Sequence, residues 1–289
     1  MLENLKTVIL LGFLSAVLVV VCGFIGSIFR LGGLGILLGL IFAIIMNFVS
    51  YFYSDKIALS SYNARIVTEA ESPNLHRIVG ELAANANILK PKVAIIETST
   101  PNAFATGRNQ QHAVVAVTTG ILNILDEEEL RGVISHELGH VKNRDILISS
   151  VAATVAGMIV AIASYGRYAM FFASDDDAGN IIGAVLMSIV GPIAATIVQL
   201  AISRSREYKA DATGAQISGN PLALANALRK LEFGNINDPL MDAKSTDAHM
   251  FIMNPLSGVG SKLQNLFSTH PSTADRIQRL EEMVNNHSY

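Results

Sequence analysis

Residues 127–147 read EEELRGVISHELGHVKNRDIL, and the five residues His136-Glu137-Leu138-Gly139-His140 within them decide what this chain must build. On an α-helix, residues four apart lie about 40° apart around the axis, so both imidazoles reach one metal ion. Glu137 points into the same space and is placed to take a proton from a metal-bound water. The pattern is that of a zinc-dependent peptidase; the plain alternative is two helix-surface histidines near a membrane. Just ahead of it, Asp126 and Glu129 form a capping pair, and Glu127 to Glu129 add acidic first-turn charge. Leu130, Ile134, Leu138 and Val141 mark the buried face, a spacing that plain core packing would also give.

Working towards the N-terminus, the soluble part alternates helix and strand signals. Ser72-Pro73 is an N-cap followed by a first-turn proline, and Leu75, Ile78, Val79 and Leu82 recur at helical spacing up to about Asn85. Lys92–Thr98 and His112–Thr119 are short and β-branched, as strands are. Between them, Pro101-Asn102-Ala103-Phe104-Ala105-Thr106-Gly107 reads as a strand with a turn at its end.

The composition is that of a membrane protein. Apolar residues make up 51% of the chain and charged residues 16%, with a mean hydropathy of +0.41. A net charge of −3 argues against a nucleic-acid partner. Four stretches lack charge for the roughly 20 residues that cross a bilayer: Thr7–Phe29, Leu31–Ser54, Ile146–Gly166 and Ala178–Ser203. Only Arg30 and a Gly32-Gly33 pair part the first two, so these form a tight helical hairpin, and the first run is too long for a signal peptide. Pro192 and Gln199 give the fourth a kink and a protein-facing side. Lys6, Lys56, Arg65, Lys142, Arg144, Arg204, Arg206 and Lys209 flank the spans on one side, Arg30 and Arg167 on the other. The positive-inside rule then puts both termini and the chemistry in the cytoplasm. Asp175–Asp177 reads as a solvated turn. Cys22 is the only cysteine, which excludes an intrachain disulfide and leaves metal ligation to histidines and carboxylates.

A hydrolytic zinc takes three protein ligands and keeps one position open. The best third candidate is Glu207, in Ser203-Arg204-Ser205-Arg206-Glu207-Tyr208-Lys209-Ala210-Asp211. Glu207 and Asp211 are again i and i+4, which suggests Glu207 on the metal and Asp211 accepting the free ring N–H of a ligating histidine. The alternative is a solvated helix whose Arg204 and Arg206 anchor lipid headgroups. Both charged helices abut the second apolar hairpin, however, and its returning spans bring their ends together.

Four stretches together now carry a resemblance: PNAFATGRN (101–109), the run 127–147, SRSREYKADATGA (203–215) and THPSTADRI (269–277). With the two hairpins, they make the chain resemble the HtpX family of bacterial heat-shock membrane zinc proteases, which belongs with the CAAX-prenyl-protease-like gluzincins. The likeness covers nearly the whole chain. It implies one Zn²⁺ per chain on His136, His140 and Glu207, with Glu137 as base and Asp211 behind the ligands. It also implies that Asn102-Ala103 lies on a substrate-binding edge strand, to which an extended peptide adds by backbone hydrogen bonds. The activity implied is a quality-control endopeptidase of the bacterial inner membrane, acting on misfolded or damaged membrane proteins. His270, ahead of Pro271, is either a turn residue or a group that stabilises the developing oxyanion. Ile277, Leu280 and Val284 form an apolar stripe on the helix that follows, and 231–268 reads as a flap over a cleft or a satellite core.

The expected architecture is therefore α+β. It is a mainly helical integral membrane protein with four transmembrane helices and a zincin-like cytoplasmic catalytic domain containing a small sheet. Residues 1–54 and 146–203 are the two hairpins; 55–145 and 204–289 are the halves of the catalytic domain. Two rival classes are a non-catalytic scaffold with a structural zinc and an intramembrane site-2-type protease. A structural zinc calls for four protein ligands, whereas three good ones stand here beside an intact base. Arg131, Lys142, Arg144 and Asp145 bracket the histidine motif, so the metal belongs outside the hydrocarbon.

Overall fold

The computed structural model describes residues 33–151, 204–237 and 271–286, with 12, 15, 16, 19, 20 and 23 of the first apolar stretch. The second apolar stretch forms α1, Gly33–Ser61. Its portion Ile36–Ser61 is long and apolar enough to cross a membrane. Leu37, Leu38, Ile41, Ile44, Ile45 and Phe48 are exposed, whereas Ala43, Met46, Ser50 and Ser54 are buried, so one face is left for lipid. Asn47 Nδ2 donates to Ser15 Oγ at 2.6 Å, which ties α1 to the first apolar stretch as a hairpin requires. The helix does not stop at Ser54, the expected boundary. It runs on to Ser61 because Ala58 and Leu59 continue its buried face and pack on Ala94, Ile96, Phe104, Val114 and Ala116.

Four strands follow: β1 (Arg65–Ile66), β2 (Lys92–Ile96), β3 (Ala103–Thr106) and β4 (Val114–Thr118). They form one mixed sheet in the order β1-β2-β4-β3. β2 runs parallel to β4, and β3 pairs antiparallel with β4, Ala105 opposite Val115, so β3 is an edge. All five β4 residues are buried, because the sheet is covered on both faces. Val114 and Ala116 meet the end of α1, and Val115 and Val117 meet the helical core. Three strands were legible in the sequence, each overextended by two or three residues. The stretch before β4 is instead a 3₁₀ turn, Gln110–His112, capped by Asn109.

The helices on the other face are α2 (Pro73–Ala86), α3 (Thr119–Ile124), α4 (Glu127–Asn143), α5 (Arg204–Ser218), α6 (Pro221–Asn237) and α7 (Thr273–Asn285). α2 starts at Pro73 as read, but the Ser72 side chain makes no capping bond. α4 has the full capping box: Glu129 N donates to Asp126 Oδ1 at 2.9 Å, and Asp126 N donates to Glu129 Oε2 at 3.0 Å. Leu75, Ile78, Val79 and Leu82 of α2 join Leu130, Ile134 and Leu138 of α4 in one core. α5, α6 and α7 close that core with Ala215, Ile217, Leu224, Leu228 and Leu280. The third apolar stretch enters a helix over 146–151. Its remainder, the fourth stretch, the acidic turn 175–177, and 238–270 with His270 lie outside the described residues.

Candidate active site

Two helices make the site, and glycines let them touch. A Cβ on Gly139 would stand 2.9 Å from the carbonyl oxygen of Ala210, and one on Gly214 would stand 2.9 Å from the backbone nitrogen of His136. α4 and α5 therefore meet backbone to backbone. That contact carries Glu207 and Asp211, one turn apart on α5, onto His136 and His140, one turn apart on α4. Glu207 is 6% exposed and Asp211 4%, so this face of α5 is not a solvated charged surface; Arg204 and Lys209 of the same helix are exposed.

Three donor atoms converge. His136 Nε2 stands 3.2 Å from His140 Nε2 and 3.8 Å from Glu207 Oε2, and His140 Nε2 stands 3.5 Å from Glu207 Oε1. Two ligand atoms about 2.0–2.1 Å from one tetrahedral ion lie about 3.4 Å apart, so the spacing suits a metal such as zinc. The donor chemistry also fits, since two imidazoles and one carboxylate leave a fourth position free. Among the described residues these three form the metal-competent group.

Each histidine has a carboxylate on its far side. His136 Nδ1 lies 2.8 Å from Asp211 Oδ1, and His140 Nδ1 lies 3.5 Å from Asp145 Oδ2. Asp211 is itself clamped by Arg276 of α7, through Nη2 to Oδ1 at 2.7 Å and Nε to Oδ2 at 2.9 Å. Arg276 Nη1 also approaches Glu207 Oε2, at 3.9 Å. Arg276 is 1% exposed, the largest of the fully buried side chains. Arg276 carries no signal in the sequence beyond its place in a stretch of family resemblance, and Asp145 was read only as one of the charges that bracket the histidine motif.

The electrostatics follow from burial. Burial pushes the Glu137 carboxyl up to about 8, with the His140 charge opposing and Glu207 adding to the rise. Burial works against a charged His140, but Asp145, Glu207 and Glu137 outweigh it and hold the ring up to about 9. His136 is pushed the other way, by burial and then by the Arg276 charge. Burial alone would raise Asp211; Arg276 and His136 overcome it and keep the carboxyl below its ordinary range.

Asn102 and Ala103 sit where β3 begins. Asn102 is 1% exposed and its N–H donates to Thr118 Oγ1 at 2.8 Å. Further along β3, the backbone of Ala105 faces the Glu137 carboxyl and works against the rise in its pKa. The edge strand and the candidate base are thus in direct contact.

The chain is similar to known proteins over nearly its whole length. Residues 69–284 match the model of peptidase family M48. The "Protease HtpX homolog" of Pyrococcus furiosus is 51% identical over 282 residues, covering 96% of this chain and 95% of its own. That of Sulfurihydrogenibium sp. is 50% identical over 294 residues, covering 98% and 97%. The crystal structure of S. mikatae Ste24p superposes with a TM-score of 0.50 at 18% identity, covering 96% of this chain and 65% of that one, a likeness of fold. With a family model spanning most of its length and relatives of half-identical sequence from end to end, the chain belongs to peptidase family M48 and is a membrane-bound metallopeptidase.

Proposed function

We propose that this metallopeptidase is a zinc endopeptidase that hydrolyses misfolded or damaged membrane proteins at the cytoplasmic surface of the bacterial inner membrane. The supporting observation is the convergence of His136, His140 and Glu207 around one point, with the buried carboxyl of Glu137 beside them. His136, His140 and Glu207 hold the ion, and Asp211 fixes the His136 ring. When bound, a zinc ion acidifies a water to a pKa of about 7 and polarises the scissile carbonyl. Glu137 stands where it would accept the proton of an attacking water and return it to the leaving amine.

Substrate enters as an extended strand beside β3. The N–H of Ala105, which now faces Glu137, belongs to that edge. Backbone pairing there, with Asn102-Ala103 at the head of the strand, recognises chain extension and not sequence. Such tolerance suits unfolded segments of many proteins. Four spans in two hairpins, 1–54 and 146–203, anchor the catalytic halves, and the basic residues beside them keep both halves and both termini in the cytoplasm.

The test is Glu137→Gln in the full-length protein. It should retain its metal and lose about 10²–10⁴-fold in the rate of casein cleavage, with zinc content measured alongside turnover. Cleavage at the parental rate would remove Glu137 from the chemistry. A variant that loses both metal and activity would instead place Glu137 among the ligands.

A further inference from the structure

We propose that Asp145 is a positioning residue for His140, holding its ring from the side opposite the metal. The inference rests on the reading of His140 as a ligand. His140 directs Nε2 towards His136 Nε2 (3.2 Å) and the Glu207 carboxylate (3.5 Å), which leaves Nδ1 as the N–H donor on the other edge of the ring. Asp145 Oδ2 faces that edge at 3.5 Å. Asp145 is only 4% exposed, and its Oδ2 has no closer hydrogen-bond partner among the described residues. A buried carboxylate oxygen without a donor is costly, so a ring N–H aimed at it is the natural complement.

The backbone puts Asp145 there. Past the last turn of α4, Arg144 adopts the left-handed conformation, with φ 63° and ψ 31°. Its N–H then bonds to the Val141 carbonyl at 3.2 Å, and the Asp145 N–H bonds to the carbonyl of His140 itself at 3.0 Å. Asp145 is thus tethered to His140 by its main chain and turned back beneath its ring. The next helix begins at once, with Ser149 N donating to the Asp145 carbonyl at 3.2 Å. The outer partners of the two histidines therefore flank, in sequence, the apolar residues 146–203. Asp145 leads into them, and Asp211 follows them.

The competing role is structural, since Asp145 precedes a helix and aspartate is a good N-cap. Serine and asparagine cap about as well. Only asparagine, isosteric with aspartate, places an oxygen where the His140 N–H can reach it. Full-length Asp145→Ser, Asp145→Asn and parent proteins in detergent should be compared for Zn²⁺ affinity by competition with a chromophoric chelator. The visible spectrum of the Co²⁺-substituted forms gives a second readout of ligand geometry, and His140→Ala is the ligand control. Asp145→Ser should bind Zn²⁺ about 10–100-fold more weakly, with an altered Co²⁺ spectrum, as loss of a ligand's outer partner does. Asp145→Asn should recover most of that affinity and the parental spectrum. Asp145→Thr, also a cap and also too short, serves if the serine variant does not accumulate. Serine-variant binding equal to parent, or asparagine and serine variants equally weak, would overturn the positioning role and leave the ligand set standing. A parent that binds no Zn²⁺, or His140→Ala that binds like the parent, would overturn the ligand reading and this inference with it.

Discussion

Arg276 is the residue that hydropathy patterns hide. On α7 the apolar positions Ile277, Leu280 and Val284 define the stripe that periodicity finds, and Leu280 is indeed fully buried. Arg276 lies deeper than Ile277, because a guanidinium facing a buried carboxylate in a two-pronged contact is satisfied there. No local signal marks this, since its partner Asp211 lies 65 residues away in sequence. By contrast, His136, His140, Glu207 and Asp211 were legible because each pair obeys the i, i+4 rule within a single helix. Replacing Arg276 by Met would leave Asp211 buried without its counter-charge. A destabilisation of about 3–5 kcal/mol is expected, together with lower metal occupancy, as read by denaturant unfolding and zinc content. An Arg276→Met protein with parental stability and metal would show that His136 alone satisfies Asp211.

At the level of elements, the site depends on how closely α4 and α5 approach. Gly214 is the position to test, because its missing Cβ would meet the backbone of His136 and not a movable side chain. Gly214→Ala should force the helices apart, cost about 1–3 kcal/mol as overpacked cores do, and weaken metal binding by moving Glu207. Gly80→Ala on α2 is the matched control. There a Cβ would meet only the Lys90 side chain, at 3.6 Å or more, and the gain in helix propensity should leave the protein as stable or more so. Equal effects from the two substitutions would refute the close-approach argument. β2 and β4 were readable as short β-branched runs and β3 by the turn at its end, the two-residue β1 was not, and the capping box of α4 was readable residue by residue. Strand order was not, since placing β3 outside β4 depends on pairings that no single segment encodes. The unbroken passage of α1 to Ser61 was missed for a related reason: the charges at Asp55 and Lys56 resemble a boundary, while the buried Ala58 and Leu59 beyond them continue the helix.

Across the whole molecule, the metal-competent group draws on parts of the chain that residues 152–203 separate: α4 before them, α5 after them, and α7 behind α5 through Arg276. A ligand bound only by the folded state stabilises it by about 4 kcal/mol at a thousandfold excess over its dissociation constant. Chelator should therefore end casein cleavage and also lower the thermal unfolding midpoint, with added Zn²⁺ restoring both. Cleavage lost with an unchanged midpoint would mean that the ion does not bridge these segments.

The scattering of these residues along the chain has a consequence in time. Translation delivers His136 and His140 first, Glu207 only after the apolar residues 146–203 have been made, and Arg276 later still. A nascent chain that already displays the histidine motif lacks Glu207, and for a while it lacks the guanidinium that meets Asp211. The buried Arg276–Asp211 pair is thus the last of these contacts that synthesis allows.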